Sequence, residues 1–298
     1  MATDGPLKGK TCLVTGATSG IGEITARELA RMGARVVVVG RSAERCGATL
    51  DRIRSETGSD AVESMVADLS VLAEVRRLAA EVRDRLDRLD VLVNNAGGML
   101  LERRESADGI EMTLALNHFS YFLLTQELLP LLKASAPSRV VNVASEAHRG
   151  GRIDFDDLGQ ERRKFGGWRA YQQSKLANIL FTDELARRLE GTGVTANSLH
   201  PGFVRTRFFS EFTGWMGFLF KAIAPFAAIS PEAGAKTTIH LASSPEVEGV
   251  SGRYFDKCKP AVPSREAQNR VAAERLWKVS EEMIGASSER NIPAPDRF

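Results

Sequence analysis

The sequence predicts an α/β fold, a doubly wound parallel sheet, on three observations. Short β-branched runs alternate with longer helical patterns along the chain. The runs are continuously apolar instead of alternating, as strands covered on both faces must be. No linker, repeat or low-complexity tract divides the 298 residues, a length sufficient for one large core. One domain over residues 1–298 is therefore expected.

In order, the strands read TCLVTG, RVVVVG, VESMVADL, LDVLVNNAG, RVVNVAS, VTANSLHPG and SGRYF, with IGEITARELARMG and SVLAEVRRLAAEVRDRL among the helices between them. A closing amphipathic helix is expected over about residues 264–284, with Leu276, Trp277 and Met283 available for its buried face. Two segments break the alternation: a polar loop, Glu146 to Arg169, and a stretch at 207–230 crowded with Phe and Trp.

Composition excludes several function classes. The net charge is +2 and the pI about 8.5, with both signs interspersed, so there is no nucleic-acid footprint. The densest basic run, Arg162, Arg163 and Lys164 with Arg169 nearby, reads as a solvated loop face. Cys12, Cys46 and Cys258 have neither disulfide nor metal spacing, which fits a reducing compartment. His118, His148, His200 and His240 share no ligand spacing either and read as packing or surface residues, so no metal is expected. The amino-terminal stretch MATDGPLKGK carries no apolar signal or anchor region, and a cytoplasmic protein without a transmembrane segment is the expectation.

TGATSGIG, residues 15–22, follows the first strand and opens a helix. In a Rossmann-type unit Gly16 permits the tight turn, Gly20 lets backbone approach a pyrophosphate, and Gly22 lets helix and sheet pack closely. The helix N-terminus then offers unpaired N–H groups to the anion. At the end of the second strand, where NAD-binding sheets usually place a carboxylate, this chain has Gly40, Arg41 and Ser42. A guanidinium beside a hydroxyl suits a 2′-phosphate, so NADP(H) is expected, with NAD(H) the alternative.

YQQSK, residues 171–175, puts a phenol and an ammonium one helical turn apart on one face. A phenol titrates near ~10, and a neighbouring cation would lower that value toward the range useful for proton transfer. Ser145, at the carboxyl end of RVVNVAS, lies where strand ends face a cleft and can polarise a carbonyl.

With these motifs in hand, the chain resembles the short-chain dehydrogenases/reductases, in their retinol-dehydrogenase-like branch. TGATSGIG matches that family's TGxxxGIG, NNAG at 94–97 its strand-four motif and YQQSK its YxxxK; Asn117, Ser145 and the Pro201-Gly202 pair fall in the same order. The resemblance implies Tyr171 as acid/base, Lys175 as its electrostatic partner, Ser145 as the carbonyl-orienting hydroxyl and Asn117 as the holder of a relay water. It implies cofactor contacts along the turn at Gly16, Thr18, Ser19, Gly20, Ile21 and Gly22, at Arg41 and Ser42, and at Asp68 and Leu69, with Asp68 on the adenine. Asn95, Ala96 and Gly97 would line the adenosine ribose, Lys175 would bond the nicotinamide ribose, and Pro201, Gly202, Val204 and Thr206 would border the nicotinamide.

The expected activity is NADP(H)-dependent hydride transfer to or from an apolar alcohol, aldehyde or ketone of retinoid-like, steroid-like or other hydrophobic type. Residues 207–230 follow Thr206 and are expected to form an apolar lid that excludes water from the reaction. Arg207, Glu211, Lys221 and Pro225 interrupt this stretch, so it falls short of the ~20 apolar residues a membrane span needs. Two other readings are a silent dinucleotide sensor or scaffold and a peripheral membrane reductase using 207–230 as its contact. A homo-oligomer is left open.

Overall fold

A computed structural model of the protein describes residues 5–202 and 229–290. Its strands are β1 (Thr11–Thr15), β2 (Arg35–Gly40), β3 (Val62–Val66), β4 (Val91–Asn94), β5 (Ser138–Val143), β6 (Val194–His200), β7 (Tyr254–Asp256) and β8 (Lys259–Ala261). They form one sheet in the order β3-β2-β1-β4-β5-β6-β7-β8. The first seven run parallel, and β8 is antiparallel to β7. Strand order reverses between β1 and β4, the place where such sheets open a crevice at their carboxyl ends.

Both faces are covered. Cys12 and Val14 of β1 and Val36 and Val38 of β2 pack with Ala26 and Leu29 of α1 (Gly20–Arg31), Ile53 of α2 (Ala43–Thr57) and Leu241 of α6 (Pro231–Ser243). Leu13, Val37 and Val39 point the other way, onto Val75 and Leu78 of α3 (Leu72–Arg85), Phe122 and Leu128 of α4 (Ser120–Ala134) and Phe181 of α5 (Gly167–Arg188). Trp277 of α7 (Arg270–Arg290) closes this second layer. Burial on two faces is why the central positions of β1 and β2 are apolar in succession.

Two polar systems set the crevice. The Thr15 hydroxyl accepts from Asn95 N at 2.9 Å and Ala96 N at 3.0 Å, tying the end of β1 to the end of β4. Below, Asn94 donates to Asn142 at 2.8 Å and to Thr125 at 3.0 Å, and Asn142 donates to Thr182 at 2.9 Å. This chain of buried amides and hydroxyls stitches α4, β4, β5 and α5 into one register, since breaking any link would strand a buried polar group.

Two expectations are corrected. The closing helix begins at Arg270, not at 264, because Asn269 accepts from Ala272 N and caps it, while Glu266–Gln268 form a separate 3₁₀ turn. The sequence reading also lacks β8. The β7–β8 hairpin turns through Lys257 and Cys258, both at positive φ, where neither residue type announces a turn. The segment expected as a lid, 207–230, falls outside the described residues except for Ile229 and Ser230, and Val204 and Thr206 lie outside them as well.

Candidate active site

The glycine-rich turn carries the geometry its sequence implies. Gly16 and Gly20 have φ of 64° and 57°, in the left-handed region. A Cβ at Gly16 would meet Ala96 Cα at 2.8 Å, and one at Gly22 would meet Gly16 O at 2.5 Å. No side chain can fill this cradle. Ser19 stands at the N-cap position of α1 but makes no side-chain capping bond, so the helix leaves its first N–H groups to something else. A dinucleotide pyrophosphate suits these N–H donors, with Thr18 and Ile21 in the same turn. The bare Gly40 at the end of β2 gives Thr18 room, because a Cβ there would meet Thr18 Cγ2 at 2.5 Å.

Arg41 is exposed and has no ion pair among the described residues. Ser42 caps α2, its oxygen accepting from Arg45 N at 3.3 Å, which leaves the hydroxyl proton to donate elsewhere. Asp68 is oriented by Ser70, whose N and Oγ donate to Oδ1 at 3.0 and 2.7 Å. Leu69 beside it is a core residue. Asn95 also has a structural task. Its amide donates to Thr15 O at 2.8 Å and so locks the turn.

At the carboxyl ends of β4, β5 and β6 the remaining residues converge. Asn117, in a π-helical turn (Ala115–Phe119) ahead of α4, is fully buried. Its Oδ1 accepts from Gly98 N at 2.8 Å, and its Nδ2 donates to Gly98 O and Ser174 Oγ, both at 2.9 Å. Ser174 Oγ in turn donates to Tyr171 O at 2.8 Å. Lys175 Nζ donates to Val143 O at 3.0 Å and lies 5.7 Å from the centre of the Tyr171 ring. Gly97 is hemmed in, since a Cβ there would sit 3.1 Å from Asn117 Oδ1 and 3.5 Å from Lys175 Nζ. Ser145 follows β5 in extended conformation, with its side chain near enough to that of Tyr171 to act on the phenol. Pro201 and Gly202 lie just past β6, on its way toward residues outside the description.

The electrostatics are set by desolvation. Burial pushes Lys175 down to about 7 and Tyr171 up to about 12, with the Ser145 hydroxyl pulling Tyr171 the other way. The expected lowering of the phenol by the ammonium is therefore not a property of the protein alone: an amine that is half neutral at pH 7 offers a weak field. Tyr121, one turn after Asn117, is a second buried phenol, driven far up by burial and next by Tyr171.

The middle residues of YQQSK have tasks the sequence reading missed. Gln173 accepts from Asp154 N at 3.0 Å and donates to Leu158 O at 2.9 Å, pinning the polar loop to α5. Gln172 packs against Gly150 and Gly151, where a Cβ would collide with it. Asp157 and Gln160 tie the rest of the loop internally. Trp168, 40% exposed, lies with its ring 5.7 Å from that of Tyr171. The sequence offered one signal, a Trp three residues before the Tyr. Among the described residues no cluster of His, Cys, Asp and Glu is arranged to hold a metal ion, and no helix is long and apolar enough to cross a membrane.

Comparison with known proteins places this geometry in context. The family model for short chain dehydrogenases matches residues 10–217. Retinol dehydrogenase 13 from Homo sapiens is 45% identical over 296 residues, covering 97% of this chain and 89% of its own. A crystal structure of an uncharacterized Mycobacterium paratuberculosis protein has TM-score 0.77 at 35% identity and covers 94% of each chain. The Pseudomonas aeruginosa RhlG/NADP active-site complex has TM-score 0.68 at 32% identity, covering 88% of this chain and 97% of its own.

The buried ammonium has a measurable consequence. An unfolded chain holds this proton up to an ordinary value of 10.5, whereas the folded protein releases it at about 7. Between those values the unfolded state binds more protons, so this group's contribution to stability rises with pH across the window, and at pH 7 and below it is unfavourable. Lys175→Met should raise the melting temperature at pH 7 by roughly 5 °C, with the gap to the parent closing as pH approaches 10.5. A calorimetric scan in which the variant melts no higher than the parent at pH 7 would contradict this.

Proposed function

This chain belongs to the short chain dehydrogenase family and is an oxidoreductase of its retinol-dehydrogenase-like branch; from that premise we propose that it is an NADP(H)-dependent carbonyl reductase or alcohol dehydrogenase for apolar substrates, with Tyr171 as acid/base. The observation that carries the reading is the convergence of Ser145, Tyr171, Lys175 and Asn117 at one point of the sheet edge. A scaffold or sensor needs no proton donor there, which disfavours the silent reading.

A bound nicotinamide dinucleotide would supply the hydride, held by the cradle at Gly16, Gly20 and Gly22 with Asp68, Ala96 and Gly97 along its path. The chain's own residues handle orientation and the proton. Ser145 acts on the Tyr171 phenol, so the two hydroxyls are neighbours and one substrate oxygen can meet both. A phenol held protonated is the form that donates when a carbonyl is reduced. Lys175, titrating at about 7, can exchange that proton near neutrality. Asn117 holds the Gly98 backbone and Ser174, fixing the floor beneath the pair.

The apolar substrate is supported by what borders Tyr171. Gly167 packs so closely on Leu100 and Leu101 that a Cβ would meet Leu100 O at 2.1 Å, which brings the Leu100–Leu101 backbone against the start of α5, where Trp168 stands. The Leu101 and Trp168 side chains are large, apolar and exposed, as a wall awaiting a hydrophobic ligand would be. NADP(H) is supported by Arg41, unpaired among the described residues, and by the NADP complex of the related RhlG. The free cysteines Cys12, Cys46 and Cys258 suit a reducing, cytoplasmic setting.

Two experiments test this reading. Tyr171→Phe should lose turnover of apolar aldehydes by ~10²–10⁴-fold while keeping dinucleotide affinity, because only the transferable proton is removed. Turnover within threefold of the parent, followed by NADPH absorbance, would refute the assignment. The parent should also bind NADPH more tightly than NADH, and Arg41→Asp should reverse that order, since a carboxylate repels a 2′-phosphate and accepts from a 2′-hydroxyl. Equal affinities in the parent by fluorescence titration would make Arg41 an ordinary surface residue.

A further inference from the structure

His148, three residues beyond Ser145, is fully buried, and both ring nitrogens are engaged. Nδ1 lies 2.7 Å from Ser145 O. A carbonyl only accepts, so Nδ1 carries the proton. Nε2 accepts from Ser264 N at 3.0 Å, so it carries none. The two contacts together fix one neutral tautomer, which is how a second-layer hydrogen bond sets an imidazole's role. The backbone N of His148 adds a second bond to Ser145 O at 3.1 Å. At the other end of the same residue, Ser145 Oγ accepts from Ala147 N at 3.2 Å. Ser145 is thus gripped at its carbonyl and at its hydroxyl.

We propose that His148 is a positioning residue for Ser145, clamping the Ser145 carbonyl through Nδ1–H and anchoring that clamp to the carboxyl-terminal segment through Ser264. This rests on the proposed reductase reading for what Ser145 does, but the clamp itself is a property of the folded chain. A hydroxyl that polarises a carbonyl must be held to a fraction of an ångström, and such precision comes from residues that touch no substrate. The segment between β8 and α7 therefore belongs to the reaction site at one remove. Arg149 reinforces the same joint by donating to Val262 O at 3.0 Å.

The surroundings favour the neutral ring. Burial lowers the His148 titration below its ordinary 6.5, the Ser145 carbonyl and Glu146 act to raise it, and Arg149 lowers it. From β7 the Tyr254 ring packs edge-on at 5.0 Å and its hydroxyl donates to Glu146. From β6 His200 Nδ1 accepts from Glu146 N at 3.1 Å. Protonation of His148 would set an Nε2–H against the Ser264 N–H, so the clamp opens as pH falls below the lowered value.

Three variants and one spectrum test the clamp. In Asn the amide nitrogen hangs from Cγ as Nδ1 does, so His148→Asn keeps the donor to Ser145 O; His148→Leu keeps bulk and loses it. His148→Leu should lower kcat at least tenfold with NADPH affinity within threefold of the parent, and His148→Asn should recover most of that loss. Equal impairment of both variants, or a kcat for His148→Leu within twofold of the parent, overturns the proposal. Independently of turnover, nitrogen-15 histidine spectra of the parent and of Tyr171→Phe should show His148 as the neutral Nδ1–H tautomer at pH 6.5. An Nε2–H tautomer, or an ordinary midpoint at 6.5, overturns the clamp even if the chain reduces no carbonyl.

Discussion

A lysine ammonium placed where water cannot reach it is the constraint around which the rest of the molecule is arranged. Lys175 is 4% exposed and donates to one backbone carbonyl, Val143 O. Holding a charge there is unfavourable, and the fold offsets it with geometry. The end of β5 must supply the carbonyl, Gly97 must lack a side chain, and α5 must enter at the angle that brings Tyr171 and Ser174 with it. Asn117 then spans from the β4 loop to Ser174, so the floor of the site is a closed set of hydrogen bonds instead of a loop free to drift.

The sheet explains why such a site can exist. Order reverses between β1 and β4, and the Thr15 hydroxyl holds the two strand ends at a fixed distance while the glycine turn arches over them. Core layers cover both faces of the sheet, and the strands' carboxyl edge carries Tyr171, Lys175 and Asn117. On that edge lie the glycine turn, Tyr171 with Lys175, and the exposed side chains of Leu101 and Trp168. The polar loop is fastened to α5 by Gln173 and leads into the first turn of α5, which carries Trp168.

Much of this was legible in the chain because each feature had a local cause. Strands buried on two faces leave uninterrupted apolar runs, and a turn that must admit a pyrophosphate leaves glycines at Gly16, Gly20 and Gly22. What escaped reading had causes far off in sequence. Nothing near His148 reveals that Ser264, more than a hundred residues on, will meet its ring. Ser174 and Gln173 occupy positions a motif treats as variable, yet their partners, Asn117 and the 154–158 loop, are tertiary. Lys257 and Cys258 take left-handed conformations through the hairpin they close, not through preference. The desolvation of Lys175 and Tyr171 has the same kind of cause: helical spacing shows the pair, but only the surrounding core shows the burial.

Burial, and not pairing, sets the titration of Lys175 and Tyr171. Nitrogen-15 and carbon-13 spectra of labelled lysine in the ligand-free protein, with Lys175→Met identifying the resonance, measure it most directly. The account predicts a Lys175 midpoint at about 7. A midpoint at the ordinary 10.5 would mean that the ammonium is solvated or paired, and would contradict it.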